Sequence, residues 1–309
     1  MAVVGEAVRR GRGSAVLAWV RKYRFELALV TPLVVYMVVL TIAPILDTIR
    51  ISFTAQSDLA FPSLASYTFI FGNEVFRQAV VYTLVVALLS LTLELTIGLA
   101  VALALHVPFR GRGFFRTVML VPLGVPTIVA GAVMLLMFSR SGYLNALIAS
   151  FYDLLPGDAQ FQALNWTSGG FRTLLTIAIA DMWKVLPVVT LIFLAGLQSI
   201  PEEVYEAADV DGATKWQRFW RVTLPLLVPY ITMALILRAI DVFRIFELAL
   251  VIGGIRVAPV LGTFIGSRYL PPTSDPFTAA AASMILFVII MVFIVLYLRF
   301  VAARREVVL

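Results

Sequence analysis

Cysteine is absent from the 309 residues, and His106 is the single histidine. Disulfides, thiolate metal centres and cysteine nucleophiles are thereby excluded, as is any metal site built from several histidines. Charge is scarce too: 14% of residues are Asp, Glu, Lys or Arg, where a soluble domain carries about a quarter. No Gly-x-x-x-x-Gly-Lys-Ser/Thr loop occurs, so the chain has no phosphate cradle with which to hydrolyse ATP itself. Internal repeats and low-complexity linkers are missing as well.

Apolar residues dominate instead, at 61%, with a mean hydropathy of +0.98. Six runs are long enough to cross about 30 Å of hydrocarbon, which needs roughly 20 helical residues. They are Leu27 to Leu46, Ala79 to Leu105, Phe114 to Phe138, Leu174 to Ala195, Leu226 to Ile252, and Phe277 to Leu298. The pattern predicts an all-α polytopic membrane protein of six spans covering residues 27–300, with an arm at 1–26 and a tail at 301–309. The first span is expected to be retained: it is too long for a signal-peptide core, contains Pro32 and Pro44, and is followed by no small-residue cleavage site.

Basic residues set the expected orientation. The arm (Arg9, Arg10, Arg12, Arg21, Lys22, Arg24), the second loop (Arg110, Arg112, Arg116), the loop before the fifth span (Lys215, Arg218, Arg221) and the tail (Arg299, Arg304, Arg305) hold fifteen Lys or Arg. The opposite side has six: Arg50, Arg77, Arg140, Arg172, Arg256 and Arg268. Both termini and the loop at Glu206 are therefore expected in the cytoplasm. The net charge of +6 reflects this topology and gives no reason to expect a nucleic acid. Of the outward loops, 47–78 and 139–171 are too long for simple turns, so short helices or partner contacts are expected there.

Ionisable residues inside spans are costly unless they face protein or water. Span four carries Asp181 and Lys184, an i, i+3 pair on one face, and span five carries Arg238, Asp241, Arg244 and Glu247 in alternating sign. On one helix the latter four form a spiral in which only neighbours pair. Two readings stand: internal salt bridges that knit the bundle, or a polar solute site between the midplane and the outer third, where transporters place such sites. Trp183 adds an aromatic face suited to stacking on a sugar ring. Glu94 stands alone in span two and is expected to be a buried, partnered acid. Pro122, Pro126 and Pro187 are expected to bend spans three and four. His106, before Pro108, is expected to be solvated at a span end.

The loop 199–225 is the long charged, aromatic-rich segment between spans. Ser199 with Glu202, and Thr214 with Gln217, fit capping boxes, and Gly212 fits a left-handed C-cap. The expectation is a helix from near Ile200 to Gly212, a turn, and a short second helix ending near Pro225. Trp216, Phe219 and Trp220 fall on one face, either as anchors of a protein interface or as aromatics resting in the headgroup layer.

Within this loop, EAADVDGATKWQRFWRVTLP from Glu206 to Pro225 resembles the cytoplasmic loop of ATP-binding-cassette importer permeases. Glu206, Ala207, Ala208, Gly212, Leu224 and Pro225 match that pattern, with Val222 where isoleucine is usual. Asp211-Gly212-Ala213, Gly142 to Leu147, and Arg110 to Arg116 resemble the carbohydrate-uptake branch, and more narrowly the larger maltose and trehalose subunit. Gly253-Gly254 departs from that family's longer glycine-rich turn, so the outer gate is not carried over. The resemblance implies that Glu206, Ala207, Ala208, Gly212, Trp216, Phe219, Leu224 and Pro225 couple to an ATPase. It implies two ATPase subunits carrying ATP and Mg with no cofactor in this chain, a second homologous permease, an extracytoplasmic sugar-binding protein, and a bacterial or archaeal plasma membrane. A di- or oligosaccharide such as trehalose or maltose is the implied cargo, with a monosaccharide, polyol or glycerol phosphate as alternatives. A stand-alone carrier would leave the Glu206 loop unexplained. A membrane enzyme using Asp181 or Glu94 as its acid lacks a paired catalytic group.

Overall fold

A computed structural model describes Trp19, residues 21–154 and residues 161–306, with side chains as far as residue 301. Arg9, Arg10 and Arg12 lie outside the described residues, as do the side chains of Arg304 and Arg305. Among the described residues every regular element is helical.

The first span joins α1 (Arg24–Met37), a π turn (Val38–Ile42) and α2 (Ala43–Ser52) into one 29-residue apolar rod, longer at both ends than the sequence reading. The π turn lies just ahead of Pro44, which cannot donate to the carbonyl four residues back. α1 buries none of its residues, whereas α2 packs along the last helix. A short helix, α3 (Ala65–Gly72), precedes α4 (Glu74–His106), the second span. Asn73 caps α4 by accepting from the Phe76 amide at 3.1 Å.

The third span is not one rod. It comprises α5 (Arg112–Met119), α6 (Val121–Gly124) and α7 (Thr127–Met137), bent by 100° at the break before α7. Pro126 lacks a donor and forces the preceding Val125 into an extended backbone, φ −82° and ψ 126°. After α8 (Tyr143–Tyr152), a short loop helix, α9 (Gly170–Gln198) forms the fourth span and runs through Pro187 as a single helix. The bend falls at one of the three prolines, where glycine and a second proline adjoin it.

α10 (Glu202–Val210) and α11 (Lys215–Arg218) form the expected helix-turn-helix, with two corrections. Pro201 sits at the N-cap of α10; the Ser199 hydroxyl donates to the Gly196 carbonyl at 2.8 Å, so the first capping box does not form. Nor does the second helix end at Pro225. A π turn (Phe219–Thr223) leads straight into α12 (Leu224–Phe243), and Pro225, which has no N–H to give to the preceding turn, follows directly after this widened turn. The fifth span thus runs from Lys215 to Phe243 rather than from Leu226 to Ile252. Arg244 to Phe246 leave the helix, and α13 (Glu247–Ile252) restarts separately. α14 (Gly254–Val257) and α15 (Leu261–Tyr269) precede α16 (Pro276–Glu306), the last span.

Among the described residues, five helices are long and apolar enough to cross a membrane, six with the bent pair counted as one span. α4 and α9 are the central pair. A Cβ added to Gly98 of α4 would lie 2.9 Å from Val189 Cγ1 of α9, so glycine sets how closely the two approach. Lipid is as apolar as leucine, so burial alone does not drive such pairs together; close packing at small residues does. Ala79, Ala87, Ala102, Ala180, Ala234 and Ala239 are all buried at these seams.

Candidate functional site

Three spans meet at Arg238. Its Nε donates to Glu94 Oε2 at 2.8 Å and its Nη2 to Glu94 Oε1 at 2.9 Å, a two-pronged bridge from α12 to α4. Nη2 also donates to Asp181 Oδ2 of α9 at 3.0 Å. The Arg238, Glu94 and Asp181 side chains are 5%, 0% and 9% exposed, so all three charges are out of solvent. Nη1 reaches Asp241 Oδ2 at 3.4 Å, one turn along α12. Arg238 therefore has every nitrogen of its guanidinium committed inside the protein. Glu94 has the partner expected of a lone intramembrane acid.

Beside this knot lies a cavity of about 310 Å³. Six residues singled out in the sequence line it: Asp181, Lys184, Arg238, Asp241, Arg244 and Glu247. Asp241 and Arg244 are open, with side chains 60% and 65% exposed and 3.9 Å apart. The geometry departs from the sequence reading in three ways. Glu247 stands on α13 and Arg244 in the break before it, so the four charges do not spiral around one helix. Asp181 and Lys184 do not pair; Lys184 Nζ donates to the Val125 carbonyl at 2.7 Å, at the bend of the third span. Trp183 is not among the cavity-lining residues, because it points about 100° away from Lys184 around the helix and packs on the apolar cluster of Val86, Ala130 and Ile177. The open groups, Asp241, Arg244 and Glu247, offer donors and acceptors of both signs on one wall.

The Glu206 hairpin is rigid by construction. Gly212, at φ +73°, closes α10 with two bonds, Gly212 N to Asp209 O at 3.1 Å and Ala213 N to Ala208 O at 3.0 Å. Thr214 and Gln217 form the predicted capping box at the start of α11. Arg218 then clamps the two helices, its Nη1 donating to both Asp209 carboxylate oxygens at 2.9 and 3.0 Å, while its guanidinium lies 5.4 Å over the Tyr205 ring. Trp220 meets Trp216 and Phe219 edge to face, with Trp216 to Trp220 at 5.5 Å, and Trp216 stays 70% exposed. Ala208 is buried at the base of α10, whereas Ala207 faces out. Leu224 and Pro225 lie in the first turn of α12. Glu206 is exposed and has no ion pair among the described residues. A second cavity of about 470 Å³ separates the hairpin from the end of α4, with His106 in its wall.

The Glu94 bridge spans 144 residues of sequence, and nothing local announces it. Its one available signal was a solitary acid in span two, too costly to leave without a partner from another span.

Residues 94–305 match the family described as the binding-protein-dependent transport system inner membrane component. The chain is 33% identical over 292 residues to the trehalose/maltose transport system permease protein MalF of Thermococcus litoralis, covering 93% of this chain and 96% of that one. It is 32% identical over 237 residues to the trehalose transport system permease protein SugA of Mycobacterium tuberculosis, covering 75% and 73%. Its fold matches a solved bacterial ABC transporter involved in the import of the acidic polysaccharide alginate, with a TM-score of 0.79, 22% identity, and 94% and 99% of the two chains covered.

Proposed function

The chain belongs to the binding-protein-dependent transport system inner membrane components, and from that premise we propose that it conducts a sugar, of the trehalose or maltose kind, by alternating access. As a member of this family it is a multi-pass membrane subunit of an ATP-binding-cassette importer, a transport component and not an enzyme.

The observation that carries the reading is the exposed, unpaired Glu206 on a helix clamped to its neighbour at its C-terminal end. A carboxylate presented in this way suits a basic group on a partner, here an ATPase subunit on the cytoplasmic side. The clamp through Asp209 and Arg218 makes α10 and α11 move together, and α11 continues into α12 without a break. Closure of two ATPase subunits is thereby passed to the helix that carries Arg238 and Asp241. The cavity beside them is at the small end of ligand sites, about 300–1,000 Å³, and it is open on one side. A second, homologous permease completes it, and an extracytoplasmic sugar-binding protein delivers the cargo. ATP and Mg belong to the ATPase subunits, and both termini of this chain lie in the cytoplasm. The Thermococcus relative, at 33% identity across nearly its whole length, supports a disaccharide cargo.

The test is the reconstituted complex, challenged with a panel of sugars, polyols and glycerol phosphate. Stimulation of ATP turnover by trehalose or maltose is expected; stimulation only by another solute class overturns the cargo. Glu206→Ala should release the ATPase subunits on purification while the six-span chain still inserts. Wild-type retention and turnover in that variant overturn the coupling role.

A further inference from the structure

At the end of the bundle where α4 finishes, α5 is sharply two-sided. Phe114, Phe115 and Val118 are 69%, 56% and 47% exposed. Arg112, Arg116 and Met119, at i, i+4, i+7 spacing, form the less exposed face. Met119 packs on the cluster that contains Leu105 and Leu197, which fixes α5 beside the Glu206 hairpin and turns the arginine face toward the bundle end. There the Nε of Arg112, and the Nε and Nη2 of Arg116, are buried without a hydrogen-bond partner. Neither arginine has an ion pair among the described residues.

A guanidinium cannot shed its charge in a protein, and a buried charge without a counter-charge is strongly unfavourable. Arg112 and Arg116 are half-buried, with three of their guanidinium nitrogens out of solvent and unpartnered, and two such groups four residues apart on one helix face favour an anion from outside the chain. The opposite face narrows the source. Phe114 and Phe115 touch at 5.8 Å, Phe115 touches Phe109 at 5.8 Å, and this aromatic surface is open. A short helix with arginines on one side and phenylalanines on the other suits a membrane interface, where aromatics meet acyl chains and bases meet headgroups. The guanidinium fork also matches phosphate geometry.

We propose that Arg112 and Arg116 hold the phosphate of an anionic phospholipid in the leaflet on the Glu206 side, with Phe114, Phe115 and Val118 seated against its acyl chains. The site is distinct from both the charged cavity and the hairpin, and it does not depend on the cargo.

Native mass spectrometry of the importer complex, purified in mild detergent from membranes and exposed to equal phosphatidylglycerol and phosphatidylcholine, reads the site directly. Wild type should retain phosphatidylglycerol in preference to phosphatidylcholine. Arg112→Gln with Arg116→Gln should lower that retention roughly thirtyfold, the effect of two basic side chains at an anionic surface. Arg110→Gln, outside the α5 face, should stay close to wild type. Equal retention of the two lipids by wild type, a comparison that needs no variant to fold, overturns the proposal. So does a double variant that keeps phosphatidylglycerol. Displacement of the lipid by added inorganic phosphate assigns the arginines to a soluble anion instead. Loss of ATPase subunits with lipid unchanged assigns them to a partner's carboxylates. Arg112→Lys with Arg116→Lys, which preserves charge, should recover most of the retention if the glutamine pair fails to assemble.

Discussion

Removing Arg238 should be far more damaging than removing either of its buried acids. Arg238 is the one cation within hydrogen-bond reach of Glu94 and Asp181 among the described residues, and both acids are essentially out of solvent. Arg238→Met leaves two carboxylates facing each other with nothing between them. Breaking a buried pair in this way costs about 3–5 kcal/mol. Glu94→Gln is milder, because Arg238 keeps Asp181 at 3.0 Å and the new amide still offers an acceptor. The loss is then one charge-assisted bond, about 1.5–3 kcal/mol. The combination is diagnostic. In the Arg238→Met background, Glu94→Gln removes a repulsion and lets an amide donate to Asp181. The double variant should therefore be more stable than the sum of the singles by about 0.5–3 kcal/mol. Survival of the intact complex after heating, read by fluorescence-detected size exclusion, ranks the three. Arg238→Met no worse than Glu94→Gln, or strict additivity, would mean that water reaches the knot, and the argument from desolvation fails.

Gly212→Val forces a β-branched residue to φ +73°, a strain of about 1–2 kcal/mol, and should detach or uncouple the ATPase subunits while membrane insertion is unchanged; normal sugar-stimulated turnover refutes this. Lys184→Met strands the Val125 carbonyl at the bend of the third span and should destabilise by about 1–3 kcal/mol in the same heating assay, whereas Lys184→Arg should recover part of it. Asn145→Ala removes the side chain that donates to the Ser139, Arg140 and Leu164 carbonyls and accepts from Leu164 and Trp166. It should therefore speed proteolysis in the 139–171 loop, and an unchanged cleavage rate counts against it.

The spans were legible because hydrocarbon thickness demands long apolar runs, and the hairpin was legible because caps and glycine turns are local chemistry. What escaped was set by distant packing. Leu248, Ala249 and Ile252 continue the apolar pattern of the fifth span, yet they belong to α13, which packs on α7 and α9 and so leaves α12 three residues after Phe243. Ser199 and Glu202 have capping-box spacing, but Pro201 between them starts the helix two residues late. Trp183 neighbours Lys184 in sequence and faces elsewhere on the helix. The charges of the cavity were all identifiable as ionisable residues in spans; which of them pair was not, since Glu94, Asp181 and Arg238 come from three separate rods.

The unbroken run from Lys215 through the π turn to Phe243 has a mechanical consequence. Under the proposed coupling it serves as a lever, with its handle at the hairpin and its working end at the charged cavity. Lys215 and Arg238 are separated by roughly 35 Å at a rise of 1.5 Å per residue, so a pivot of only about 5° at the handle sweeps Arg238 through about 3 Å. That is one hydrogen-bond length. A pivot of that size is large enough to exchange one partner of Arg238 for another. The three-span knot would then act as the catch on which the stroke of the lever is registered.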